Sequence, residues 1–392
     1  MAETDESEIS QPQANGPAGQ VGGVAPAERD FRDVRDFPDC EGILPAAPSP
    51  PSPPSFEVCD IFFGADGLRA GWSLLLYFAL LAVLLFGSGT VVHKLLHHRA
   101  AGRQPGAAAQ ASPQPGAASL LPPKTVMVDE GVPLFCVVVA TWIMGKIERR
   151  ATRVYGLGGR RGLGNFLAGL GWGVALLSLL VVSLRATGLL VFDARLLFGR
   201  GALRDGAVWL ALFLLVGLFE ECFFRGYLQF TLTRGVSGIY GWLRAPGPPT
   251  PGQAALGFWT SAVLLSFGFG LTHRSNAGES PIGLLSVGLV GLVFCLSLWR
   301  TGSLWWAIGF HAAWDWAQSF LYGVADSGNM IQGHLFATRP VGRPIYSGGL
   351  TGPEGSLFIL PILALTAGVI WLTLPRAQYG YRAWAAARTG VD

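Results

Sequence analysis

The chain has 392 residues, of which 51% are hydrophobic and 14% charged, and a mean hydropathy of +0.42. A soluble domain carries about a quarter charged residues, and the 54 Gly and 26 Pro show no triplet period, so soluble, collagen-like and wholly disordered classes are excluded. The net charge of +3 hides a split: residues 1–60 hold 12 acidic residues against three Arg, which leaves the remainder strongly basic and very apolar, the profile of an integral membrane protein.

Residues 1–60 are rich in Pro, Gly, Gln, Ser and acids, and end in a Pro-Ser-Pro-Pro-Ser-Pro-Pro run. Such a segment buries too little apolar surface to offset its ordering entropy and reads as a disordered acidic tail. It has no basic n-region followed by an apolar run, so it is not read as a signal peptide. A spanning helix needs about 20 mostly apolar residues. Stretches of that kind are expected at 70–92, 131–147, 166–184, 207–219, 256–272, 282–299, 304–321 and 357–374. The fourth is interrupted by two glutamates and its apolar pattern resumes through Phe230. The expected fold is therefore all-α, a polytopic transmembrane helix bundle of about eight spans.

In domain terms, a first span and an Ala/Gln/Pro/Gly-rich linker occupy 61–125, and a membrane core occupies 126–321. A Gly/Pro-rich connection at 322–356, a candidate lid, and a last span with a C-terminal tail at 357–392 complete the chain. The basic residues that follow the second span, Lys146, Arg149, Arg150, Arg153, Arg160 and Arg161, favour a cytoplasmic side there, whereas four basic residues in the preceding linker oppose it. An even number of spans leans to both termini cytoplasmic. The five cysteines are scattered without a CxxC pair, which suggests neither a disulfide framework nor a thiolate metal site. His93, His97 and His98 read as a basic flank of the first span, and the glycines at 156–164 as a flexible connection. Gly169 and Gly173 have the small-xxx-small spacing of helices packed closely in lipid.

Charged groups inside lipid cost a few kcal/mol and are usually functional. Glu220, Glu221 and Asp315 fall well inside expected spans; Arg225, His273 and His311 join them there or at span ends. These six residues lie on the fourth, fifth and seventh helices, which places a catalytic cavity between those three. Glu220 and Glu221 point about 100° apart. Arg225 is i+4 from Glu221, the spacing at which acid and base meet. Glu221 and Arg225 are thus read as a neutralised pair, and Glu220 as a carboxylate left to act as general base. His311 and Asp315 share a face by the same spacing, as do Phe269 and His273. An imidazole and a carboxylate from separate helices can polarise a water, and a second imidazole can bind the oxyanion of a tetrahedral intermediate.

Glu220-Glu221-Cys-Phe-Phe-Arg225, Phe269-Gly-Leu-Thr-His273 and His311-Ala-Ala-Trp-Asp315 match, in order, the EExxxR, FxxxH and HxxxN/D motifs. On these the chain resembles the CPBP intramembrane endopeptidases, the family of the CaaX prenyl proteases. The resemblance implies about eight transmembrane helices and a water activated by Glu220 with His273. It assigns the oxyanion side to His311 and Asp315, with Glu221, Arg225 and Phe269 in support. Eukaryotic relatives remove the terminal tripeptide from prenylated CaaX proteins. The Lys-poor basic complement, three Lys among 28 Lys and Arg, points to GC-rich coding and to the inner membrane of a bacterium, where the substrate is an open question. An ionised Asp donates no hydrogen bond, so Asp315 either holds a proton or only orients His311.

The expected activity is hydrolysis of a peptide bond in a membrane-associated protein or lipidated peptide, with no cofactor required and no nucleic-acid partner. Three alternatives stand beside it. Glu220, His273 and His311 can form a two-His, one-carboxylate zinc site, although the HExxH spacing of helical zinc proteases is missing. A non-catalytic scaffold or bacteriocin-immunity protein on the same fold is the second, and a transporter the third.

Overall fold

The computed structural model describes residues 58–64, 67–100, 119–159, 161–244, 250–276 and 278–375. Nearly all of the acidic tail and most of the linker within 61–125 lie outside the described residues. Helices of 11 residues or more are α1 (Ala70–Ala100), α2 (Pro123–Ile147), α3 (Gly162–Ala186), α4 (Gly199–Glu220), α5 (Gln229–Arg244), α6 (Pro251–Thr272), α7 (Pro281–Thr301), α8 (Trp305–Asp315) and α9 (Ile359–Thr373). Every expected apolar stretch is helical. Among the described residues, six segments are long and apolar enough to cross a membrane, at Ala70–Val92, Pro123–Ile147, Gly162–Ala186, Gly199–Leu243, Pro251–Ser275 and Pro281–Thr301. The seventh and eighth stretches are shorter helices: α8 passes into a π-helical turn at Trp316–Leu321, and α9 has 15 residues.

Local chemistry sets these boundaries. Pro123, Pro251 and Pro281 each open a helix, where the missing N–H is no loss. Thr250 caps α6 in a reciprocal box: its hydroxyl accepts from the Gln253 N–H at 3.3 Å, and the Gln253 side chain accepts from the Thr250 N–H at 2.7 Å. At the start of α7 the Ser280 hydroxyl accepts from the Gly283 N–H at 3.0 Å. Gly302, at φ +67°, ends that helix in the left-handed region. Arg300 then donates to the Trp371 and Leu374 carbonyls at 2.8 and 2.5 Å, satisfying the open end of α9 from α7.

α4 does not stop at the paired glutamates. It continues through a π-helical segment, Glu221–Leu228, into α5. The result is one unbroken helical run from Gly199 to Leu243, about 68 Å along its own path at 1.5 Å per residue, against a hydrocarbon core of ~30 Å. π-helical turns recur at functional sites, and both of those here adjoin motif residues.

α8 is held against α3 by contact of small residues. A Cβ on Gly169 would strike the Trp306 carbonyl, and one on Gly309 the Phe166 carbonyl. One on Gly173 would lie 2.5 Å from the Phe310 carbonyl. The small-xxx-small spacing of 169 and 173 therefore has the helix carrying His311 as its partner. Gly309→Val is expected to cost about 1–3 kcal/mol through overpacking, read as a lower thermal midpoint of tryptophan fluorescence in detergent. Gly171→Val, where nothing lies within 4 Å of the added Cβ, is expected to have little effect.

Two short ladders frame one end of the bundle. β1 (Ser119–Leu121) pairs in parallel with β3 (Asn329–Ile331), and β2 (Leu190–Arg195) pairs antiparallel with β4 (Phe336–Pro340). They fasten the 322–356 connection to the chain ahead of α2 and to the chain after α3. The core lies where α3, α7, α8 and α9 meet, around Leu177, Leu180, Phe294, Trp306, Phe310 and Ile370.

Candidate active site

A cavity of about 410 Å³ opens between α2, α4, α6, α7 and α8, with the 322–356 connection along one side. Glu220, His273, His311 and Asp315 all line it. α7, the sixth expected span, adds Val287, Val290 and Phe294, so the cavity is broader than the three-helix site read from sequence.

Glu221 is fully buried and Arg225 is 1% exposed. The Arg225 Nη1 donates to Glu221 Oε1 at 3.0 Å, the pair expected from the i+4 spacing. Its guanidinium lies 4.2 Å from the Phe269 ring centroid and 5.7 Å from those of Phe224 and Phe294. Three rings thus supply cation–π attraction to a charge withdrawn from water. Phe269, the first residue of the second motif, acts on the first motif's arginine.

The same Glu221 Oε1 accepts from His311 Nδ1 at 3.1 Å. A carboxylate bound to that nitrogen fixes the ring's orientation and leaves Nε2 turned to the cavity. Nε2 is 3.5 Å from Glu220 Oε2 and 3.5 Å from Asp315 Oδ2. His311 is therefore the hub: three carboxylates from two helices face one imidazole. The i+4 spacing announced Asp315 as a neighbour but not the two glutamates of α4.

His273 stands at the end of α6. Its Nδ1 meets the Phe269 carbonyl at 3.0 Å and the Thr272 hydroxyl at 3.3 Å. A carbonyl only accepts, so Nδ1 carries a proton and donates it there. Glu220 has its ion contact with His311, and His273 faces the same cavity without a salt bridge to either.

Three cavity carboxylates went unread in the sequence. Glu130 projects from α2, and Asp326 and Glu354 come from the 322–356 connection. Glu354 Oε1 accepts from the Ser327 N–H at 2.5 Å, the Ser327 hydroxyl at 3.0 Å and Gln318 Nε2 at 3.2 Å. Burial, then the nearby charges of Asp315 and Glu354, push the Asp326 carboxyl well above its ordinary range. Trp314 also lines the cavity, whereas Cys222 is packed away from it. The side chains of His93, His97 and His98 lie outside the described residues.

The zinc set read from sequence can be tested against these positions. Among the described residues no three His, Cys, Asp or Glu come together to hold a metal ion. His273 Nδ1 meets a backbone carbonyl, the outer bond that a histidine ligating through Nε2 also makes.

Six long apolar helices around a buried set of carboxylates and imidazoles define an integral, multi-pass membrane protein with the equipment of a hydrolase. Residues 202–317 match the family model described as type II CAAX prenyl endopeptidase Rce1-like. All three motifs lie inside that segment. No curated protein and no solved structure matches the chain.

Proposed function

We propose that the chain is an intramembrane endopeptidase that hydrolyses a peptide bond of a membrane-associated, lipidated or CaaX-like substrate, using water and no metal. The observation that supports this is the convergence of Glu220, His273, His311 and Asp315 on one cavity, with His311 held from behind by Glu221 and Arg225.

Glu220 takes a proton from a water bound between its carboxylate and the free Nε2 of His273. The hydroxide adds to the scissile carbonyl carbon, and the carbonyl oxygen becomes an oxyanion facing His311. Collapse breaks the C–N bond, and the proton held by Glu220 passes to the leaving amine, restoring the carboxylate. Asp315 sits beside His311 Nε2 and orients that ring.

The test is cleavage of quenched fluorescent lipidated peptides by the detergent-purified protein, beside His273→Ala and with or without a strong chelator. A His273→Ala loss of about 10²–10⁴-fold with a chelator-insensitive native rate is expected. Loss of the native rate with chelator would transfer the site to a metal mechanism. Full activity in His273→Ala would remove that residue from the chemistry.

A further inference from the structure

The 322–356 connection, a candidate lid by sequence, has the contacts of a brace, and Glu354 gathers them. Its Oε1 accepts from the Ser327 N–H, the Ser327 hydroxyl and Gln318 Nε2, and the Asp326 carboxyl is hydrogen-bonded to the same carboxylate. A carboxylate offers about four lone-pair sites, so Glu354 lines the cavity with its acceptors already occupied. Ser327 has a φ of +42°, a left-handed conformation unfavourable for any residue with a Cβ. Both donors that this conformation presents go to Glu354.

The same stretch of chain reaches two of the helices that carry the motifs. Gln318 and Ser319 lie in the π-helical turn Trp316–Leu321, which continues α8 beyond Asp315. Gln318 is fully buried and its Nε2 also donates to the Ala325 carbonyl at 2.8 Å; the Ser319 hydroxyl donates to Asp326 Oδ2 at 3.4 Å. On the opposite side the Thr351 hydroxyl donates at 2.8 Å to the Gly278 carbonyl, in the turn that leads from His273 to α7. Contact there is close, since a Cβ on Gly278 would lie 2.6 Å from the Leu350 Cβ. Between the two anchors the chain is tied to itself. The Gly328 N–H donates to the Thr351 carbonyl at 3.0 Å, and a Cβ on Gly352 would strike the Ala325 carbonyl.

We infer that Glu354 is a positioning residue: by fastening the Thr351 turn to Ser327 and Gln318, it holds the His273 end of α6 in register with the Asp315 end of α8. The inference rests on the cleavage site proposed above and adds to it a residue from outside 202–317. Catalytic groups displaced by about 1 Å lose about 10²-fold in rate, which is the scale on which such a brace acts. Its acceptors matter here, and its charge does not. Glu354→Gln keeps an Oε1 for the three donors and turns an N–H toward Asp326, whereas Glu354→Ala removes every bond.

The test follows cleavage of the quenched fluorescent lipidated peptide by the full chain in detergent, well below each variant's unfolding midpoint. Glu354→Ala is expected to lower kcat about 10–100-fold with KM within about threefold, and Glu354→Gln to stay within about threefold of native. Thr351→Val, which removes the bond to Gly278 and keeps the side chain's shape, is expected to lower kcat about 3–10-fold, so the result does not hang on the alanine variant folding. Hydrogen exchange read by mass spectrometry on the same proteins needs no substrate. It is expected to quicken both in the π-helical turn after Asp315 and in the turn after His273 for Glu354→Ala, and in neither for Glu354→Gln. Native kcat in Glu354→Ala, a glutamine variant as slow as the alanine one, or exchange that quickens at one turn only overturns the inference. If the native chain shows no Glu220-dependent cleavage, the hydrolase reading falls and the exchange pattern alone decides the brace. Glu220-dependent cleavage with native kcat and exchange in Glu354→Ala removes the brace and leaves the hydrolase.

Discussion

Glu220→Ala is expected to lower kcat for peptide cleavage by about 10²–10⁴-fold, the range for loss of a positioned general base. The other two motif acids are committed. Glu221 is sealed and shared between Arg225 and His311. Asp315 is 7% exposed and paired with His311 along its own helix. The Glu220 side chain keeps 17% of its surface exposed and faces the cavity at the α4 end of the π-helical segment. Glu220→Gln preserves shape and hydrogen-bonding reach but cannot take a proton, so it is expected to lose as much as Glu220→Ala. Glutamine activity above about a tenth of native would show that Glu220 positions rather than accepts.

Arg225→Ala is expected to show the largest loss of stability, about 3–5 kcal/mol, because it leaves Glu221 charged in the core without its partner. The variant removes the cation from the three-ring cage and frees the oxygen that holds His311 Nδ1. Activity should therefore fall even where the protein remains folded. Arg225→Met with Glu221→Gln removes both charges and keeps the volume; it is expected to regain most of the stability but none of the activity. Thermal unfolding in detergent, with cleavage on the same samples, separates the two effects. A loss under about 1 kcal/mol, the size of an exposed ion pair, would contradict the burial argument.

The helices were legible because a hydrocarbon solvent writes long apolar runs into the sequence. The Glu221–Arg225 pair was legible because i and i+4 share a face, and it survives the π-helical widening of that turn. Glu130 escapes the sequence pattern for a local reason: the apolar stretch begins at Gly131, after two acids. Pro122-Pro123 marks the true start, and read that way Glu130 falls two turns inside α2. Asp326 and Glu354 left no such signal, since a connection's contact with a distant helix follows no periodicity. The meeting of His311 with both glutamates of α4 was hidden for the same reason. One helix's spacing reports neighbours along its own face, and this contact is made across helices, where Gly217 of α4 lets that helix pack close against α8 beside His311.

Glu130, Asp326 and Glu354, with the ladder that joins β1 to β3, enclose the cavity from outside the segment that carries the family motifs. The motifs and the rest of the cavity wall are thus encoded in different stretches of the chain, free to change at different rates. Descendants of one ancestor can keep all three motifs intact and still part company over what they cut. Motif matching then sorts such proteins by reaction, and their diets have to be read from the flanks.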